Sequence, residues 1–454
     1  MSDTRPKVQP YTASTKDFGS GKASPRDFLE RCLAKVDARE DDVLAFAATN
    51  FSAARAAADA SSARWRDGCP LSPIDGMPVG VKDVIETADM PTGMGSPLYD
   101  GWCPGYDSAS VHALREAGAV IVGKTVTTEF AASEPGPTRN PWDVARTPGG
   151  SSSGSAAGVA AGFFSAALGT QVIGSILRPS SYCGVIGYKP TFGSINRGGS
   201  HDYMSQSSQG VIAASLEDCW HCAWEISQRC GGDPGYGGIE GPSALPKSPG
   251  PKSVIVLETS GWAEATEEAK DNFQAVVEDL RRAGICIVTR KDNSDVDAAE
   301  VAVLDAMPVS RLINAWESRW PLNTYRDHDA SKLSKAMLDR SYEAEAMSLD
   351  DYRKAIARRA EIRTKYAGLS AHGDCCITLA ASAAAPEGLR STGSALFAVT
   401  SSVLGAPSLS LPVMQESKLP LGLQVIGFDN RDAAAFAAAH AILSHMDAAR
   451  AIRA

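Results

Sequence analysis

Nothing in this chain of 454 residues approaches about 18 uninterrupted apolar positions, so the sequence offers no membrane-spanning helix. Basic clusters are missing too. The net charge is −9 and no run of lysine and arginine opposes it, which argues against a nucleic-acid surface. The ten cysteines lack framework spacing, and the opening residues, Met1-Ser2-Asp3-Thr4-Arg5-Pro6, carry no apolar signal region. The expectation is a cytoplasmic protein with reduced thiols. Cys219, His221 and Cys222, and likewise His372, Cys375 and Cys376, have no second half at zinc-site spacing, so no metal is expected. What is present is ordinary for a globular protein: 44% apolar and 21% charged residues, enough for one large or two medium domains.

Ser24, Pro25 and Asp27 form a helix-start signature, and Phe28, Leu29, Cys32, Leu33 and Val36 then make one apolar stripe. An alanine-rich helix is expected from Phe51 to Ala63. Apolar runs at Met77–Val81 and Ala119–Val122, with helix-like sequence between them, suggest α/β layering. Ser165–Leu168 reads as a buried strand, and residues 231–251 as a long Gly/Pro-rich loop. A β-α-β unit is expected over 253–289, a mostly helical segment with turns near Pro308 and Pro321 over 299–369, strands at Ser408–Val413 and Gly422–Ile426, and a closing helix over 432–446. Residues 1–70 form an N-terminal helical region and 71–454 the core of one structural domain.

The chemistry concentrates in Gly149-Gly150-Ser151-Ser152-Ser153-Gly154-Ser155 and in Gly174-Ser175, 24 positions beyond Ser151. Lys82 ends the apolar run that begins at Met77. A serine hydroxyl is a weak nucleophile until a neighbour takes its proton, and a lysine can do so only when neutral. Val79 and Val81 supply an apolar setting that disfavours ammonium. Gly149 and Gly150 open backbone conformations closed to other residues, which suits a serine in a cis peptide. Gly174 lets successive N–H groups of Val172, Ile173 and Gly174 converge as an oxyanion hole requires.

These residues resemble the amidase signature family. The resemblance runs from Pro148 to Thr191 and extends to 76–83, Gly123-Lys124-Thr125, Glu129-Phe130, Asn140-Pro141 and 420–427. It implies a Ser–cis-Ser–Lys triad with Ser175 as nucleophile, Ser151 as proton relay and Lys82 as base. It also implies a single α/β/α domain around a large mixed, mostly parallel sheet of about eleven strands. The implied reaction hydrolyses a small amide through a seryl acyl-enzyme, without a cofactor. A small-molecule amide is the expected partner, in a homodimer that meets neither nucleic acid nor membrane.

Two departures bear on specificity. Ile173 stands where the family often has glycine, and Leu177 where it often has arginine, with Arg178 one position later. The latter spacing resembles malonamidase members, as do Met90-Pro91-Thr92, Gly95-Ser96 and Gly101-Trp102. There the corresponding arginine holds a substrate carboxylate, a task suited to a planar guanidinium. Arg178 is therefore a candidate substrate-binding residue, with capping of nearby carbonyls the structural alternative. Arg311 is a weaker candidate. Three substrates stay open: a malonamate-like half-amide, a neutral or aryl amide, and glutamine in a subunit of amidotransferase type. Gly150 to Gly154 also fits a Gly-x-Ser-x-Gly elbow, which would make Ser152 the nucleophile with a histidine base, although no strong apolar strand leads into it.

Overall fold

The computed structural model describes residues 6–132, 134–248 and 250–453. Eleven strands build one sheet: β1 (Phe46–Thr49), β2 (Pro78–Lys82), β3 (Val120–Thr125), β4 (Ala166–Gln171), β5 (Ile186–Lys189), β6 (Ser208–Ala213), β7 (Ser253–Val256), β8 (Cys286–Val288), β9 (Cys375–Leu379), β10 (Ser408–Glu416) and β11 (Leu419–Ile426). Their spatial order is β1-β3-β2-β4-β6-β5-β10-β11-β9-β7-β8. The expected mixed α/β sheet is present, with one correction. Only β2·β3, β2·β4, β7·β8 and β7·β9 are parallel; the other six pairings, including the β10/β11 hairpin, are antiparallel. Short connections such as the two residues between β10 and β11 cannot carry the long crossover a parallel pair needs.

Period-two alternation sends neighbouring residues into different cores. Ile121 joins one apolar cluster while Val120 and Val122 join another; Val254 and Ile255 divide in the same way. Both faces are thus covered, which explains why β2 to β6 read as wholly buried runs and not as alternating patterns. The helix Pro25–Val43 opens with the expected capping box, in which Ser24 accepts from the Asp27 N–H and Asp27 accepts from the Ser24 N–H. It buries Phe28, Leu29, Cys32, Leu33 and Val36. From the N-terminal region, β1 pairs with β3, and the Asp218 carboxylate accepts from the N–H groups of Tyr11 and Thr12.

Pro308 and Pro321 lie in the first turns of helices Ala306–Glu317 and Arg319–Asp329, so the turns fall just before them. A first-turn proline gives up an N–H that has no helical partner anyway. The helix Ser153–Ala161 is buried along its whole length, and a Cβ at Gly158 would strike the Phe164 ring. Among the described residues no helix is long and apolar enough to cross a membrane.

Candidate active site

Strands β2 and β4 are adjacent and parallel, so their carboxyl ends lie on one edge of the sheet. Lys82 is the last residue of β2; Thr170 and Gln171 close β4 and lead into the Ser175 turn. Catalytic loops favour such strand ends in α/β folds.

Lys82 is 0% exposed, and its Nζ lies 2.7 Å from Ser151 Oγ and 2.7 Å from Thr170 Oγ1. Burial lowers its pKa to about 7, with Asp202 pulling in the opposite direction. The Gly150–Ser151 peptide is cis, and Gly149 has a φ of 81°. A Cβ at Gly149 would lie 2.8 Å from the Pro179 Cα, so glycine is needed there for both conformation and space.

Ser175 is partly exposed in the turn between β4 and the helix Leu177–Cys183. Among the described residues no hydrogen-bond partner holds its hydroxyl; its carbonyl accepts from the Ser152 N–H at 3.3 Å. The structure therefore joins Lys82 to Ser151 directly and leaves Ser175 Oγ unengaged. Among the described residues the N–H groups of Val172, Ile173, Gly174 and Ser175 also have no acceptor. Consecutive uncommitted donors beside a partly exposed serine are the parts from which an oxyanion hole is made.

Gln171 shapes this turn. Its Oε1 accepts from the N–H groups of Ile176 at 2.9 Å and Leu177 at 3.0 Å, while its Nε2 donates to Ser402 Oγ at 3.0 Å. Ser402 Oγ in turn donates to the Ile173 carbonyl at 3.0 Å. The turn is thus held from both sides by side chains, and the four N–H groups between stay free for a ligand. Ser152, by contrast, is 0% exposed, with its hydroxyl donating to the Thr170 carbonyl. A sealed hydroxyl is poorly placed for attack, so the geometry speaks against the elbow reading.

Arg178 points inward. Its Nη1 donates to the Gly393 carbonyl at 2.7 Å, and its Nη2 to the Gly150 carbonyl at 2.6 Å and to Thr392 Oγ1 at 2.9 Å. It links the Ser151 peptide to a loop more than two hundred residues away. Arg311 lies exposed on the helix Ala306–Glu317.

The family model described as Amidase matches residues 27–435. The chain belongs to the amidase family. It is 30% identical to the glutamyl-tRNA(Gln) amidotransferase A subunit of Synechococcus sp. (strain CC9311), over 90% of this chain and 91% of that protein. The corresponding A subunit of Anaeromyxobacter sp. (strain K) is 44% identical over 45% of this chain, and the match spans less than half of that protein's length, 44%. The fold is similar to that of the native peptide amidase from Stenotrophomonas maltophilia, with a TM-score of 0.79, 25% identity and 97% of each chain covered. It is also similar to a structure from a vestigial protein complex tied to the origins of an s-triazine catabolic enzyme, with a TM-score of 0.83, 26% identity, and 96% of this chain and 98% of that chain covered. Members of the amidase family are amidohydrolases acting on C–N amide bonds.

Several side chains of this amidase-family chain escaped the sequence reading. Thr170 and Gln171 lay inside the quoted motif but carried no signal of their roles. Asp202 is 3% exposed, and neither carboxylate oxygen has a hydrogen-bond partner among the described residues. Arg340, on the helix Lys335–Ala346, is partly exposed; desolvation lowers its pKa while Asp202 raises it. Among the described residues Arg340 has neither a hydrogen bond nor an ion pair.

Proposed function

We propose that this chain hydrolyses a small, carboxylate-bearing amide through a seryl acyl-enzyme. The observation that carries the reading is Lys82: fully buried, with a pKa lowered to about 7, and 2.7 Å from Ser151 Oγ. A neutral lysine so placed can accept the Ser151 proton as Ser151 accepts that of Ser175. Ser175 Oγ then bonds to the amide carbon, and the N–H groups of Val172, Ile173 and Gly174 receive the oxyanion. The proton returns through Ser151 to the leaving nitrogen, the C–N bond breaks, and ammonia or an amine departs. Water resolves the ester by the same relay.

The carboxylate preference rests on a guanidinium without a partner. Arg178 directs its fork to the Gly150 and Gly393 carbonyls and to Thr392, so in this reading it clamps the Ser151 peptide. Arg340 has no such commitments and lies within electrostatic range of Asp202, which also acts on Lys82. Arg340 is therefore assigned the substrate carboxylate, in a malonamate-like or other short half-amide. The protein is read as a cytoplasmic homodimer.

Ser175→Ala should lower turnover by about 10³-fold or more with the fold intact, while Ser152→Ala should not. The reverse pattern would restore the elbow reading. A second reading, a glutaminase chain that feeds ammonia to a partner, is favoured by the full-length likeness to an amidotransferase component. Turnover of simple amides by the purified single chain supports the first reading. Turnover of glutamine only in the presence of a partner supports the second.

A further inference from the structure

We propose that Asp202 is a specificity-determining residue whose carboxylate receives an ammonium group of the substrate, so that the amide carries an amino group as well as a carboxylate. This rests on the acyl-enzyme reading above and on the assignment of the substrate carboxylate to Arg340.

The starting point is an unmet need. Asp202 is 3% exposed in the loop before β6, and neither of its side-chain oxygens has a partner among the described residues. Leaving a carboxylate buried and unpaired is costly, and proteins retain such groups where a ligand or ion satisfies them. The backbone around it is fixed: the Asp202 N–H donates to Ser200 Oγ at 3.4 Å, and the Asp202 carbonyl accepts from Ser207 Oγ at 2.8 Å. The backbone is thus held in place while the carboxylate is left without a partner among the described residues.

Its loop lies against the site: the His201 N–H donates to the Val84 carbonyl at 2.9 Å, two residues beyond Lys82, and Gln206 Nε2 donates to the Val172 carbonyl at 3.3 Å. The helix that carries Arg340 places Met337 in one apolar cluster with Phe130, close to Thr128, whose N–H donates to the Ser151 carbonyl at 3.3 Å. Asp202 acts electrostatically on Lys82, whose Nζ contacts Ser151, and on Arg340. Yet no direct ion pair joins Asp202 to Arg340 among the described residues. With Lys82 neutral and the Arg178 guanidinium committed to the Gly150 and Gly393 carbonyls and Thr392, the Arg340 guanidinium and the Asp202 carboxylate remain without a hydrogen-bond partner among the described residues. A substrate with only a carboxylate would gain from Arg340 and be repelled by Asp202. A zwitterion placed with its carboxylate at Arg340 and its ammonium at Asp202 satisfies both groups, and charge-assisted hydrogen bonds at each end would orient the amide carbon.

Four amides separate these terms: propionamide with no charge, malonamate with a carboxylate, β-alaninamide with an amine, and asparagine with both. For Asp202→Asn, the loss of kcat/KM on β-alaninamide and asparagine should exceed the loss on propionamide by about tenfold or more, with malonamate unharmed or improved. Arg340→Gln should instead penalise malonamate and asparagine. Equal losses on all four amides in Asp202→Asn would overturn the proposal, as would a wild-type enzyme that prefers malonamate to asparagine. Asp202→Ser reads the same way should Asp202→Asn fold poorly. Calorimetric binding of β-alanine to Ser175→Ala, compared with Ser175→Ala/Asp202→Asn, needs no turnover. Binding lost only in the double variant upholds recognition even if the acyl-enzyme reading fails. Unchanged binding in both refutes it.

Discussion

A protonated lysine cannot take the proton of Ser151, so the rate should follow the neutral fraction of Lys82. Raising the pH deprotonates it. With a pKa lowered to about 7 by burial, kcat/KM should climb roughly tenfold per pH unit below that value and level off above it. An acid optimum, or a profile set by a histidine, would contradict the assignment. Thr170→Val keeps the shape of the side chain but removes the hydroxyl 2.7 Å from Nζ. Losing a hydrogen bond to a titrating amine is worth about 1.5–3 kcal/mol, so the rate should fall roughly ten- to hundredfold, with an altered pH midpoint. Arg178→Lys should destabilise by a similar amount, about 1.5–3 kcal/mol, because one ammonium nitrogen cannot span acceptors that Nη1 and Nη2 of the planar fork reach separately. Denaturant midpoints would read this, and an unchanged midpoint would sink the clamp.

At the scale of elements, the decisive piece is the turn between β4 and the helix Leu177–Cys183. Gln171 supplies two acceptor contacts at its far side and one donor contact to Ser402. Gln171→Ala should therefore release the Ile176 and Leu177 N–H groups and loosen the oxyanion donors. Faster amide exchange at Ile176 and Leu177 and a kcat loss larger than the KM change would report it; a change in KM alone would contradict it. The Gly/Ser motif, Lys82 and Ser175 stood out in the sequence as residue types suited to this chemistry, although Lys82 lies 69 positions from Ser151, a separation that the pairing of β2 with β4 closes. Thr392 did not, since only the folded loop brings it to Arg178, and no motif signalled the roles proposed for Asp202 and Arg340. β5 and β6 were missed for a related reason: they are short, interrupted by Gly187 and Gly210, and buried on both faces, so they show no alternation.

Across the whole molecule, the sheet does the joining. The parallel neighbours β2 and β4 carry Lys82 and the Ser175 turn to one edge, and Asp218 ties Tyr11 and Thr12 to the helix Leu216–Cys230. Asp218→Ala should cost about 1–3 kcal/mol of stability by leaving buried donors unmatched, yet preserve kcat per folded molecule. A parallel loss of kcat would mean that the N-terminal segment shapes the site. The central claim, a Ser–Ser–Lys relay acting through a covalent ester on Ser175, is tested most directly by acid-quenching the enzyme during turnover of a small amide and mapping the acyl adduct by peptide mass spectrometry. The account predicts one acylated residue, Ser175, with the adduct lost in Lys82→Ala; an adduct on Ser152, or one that forms without Lys82, would contradict it.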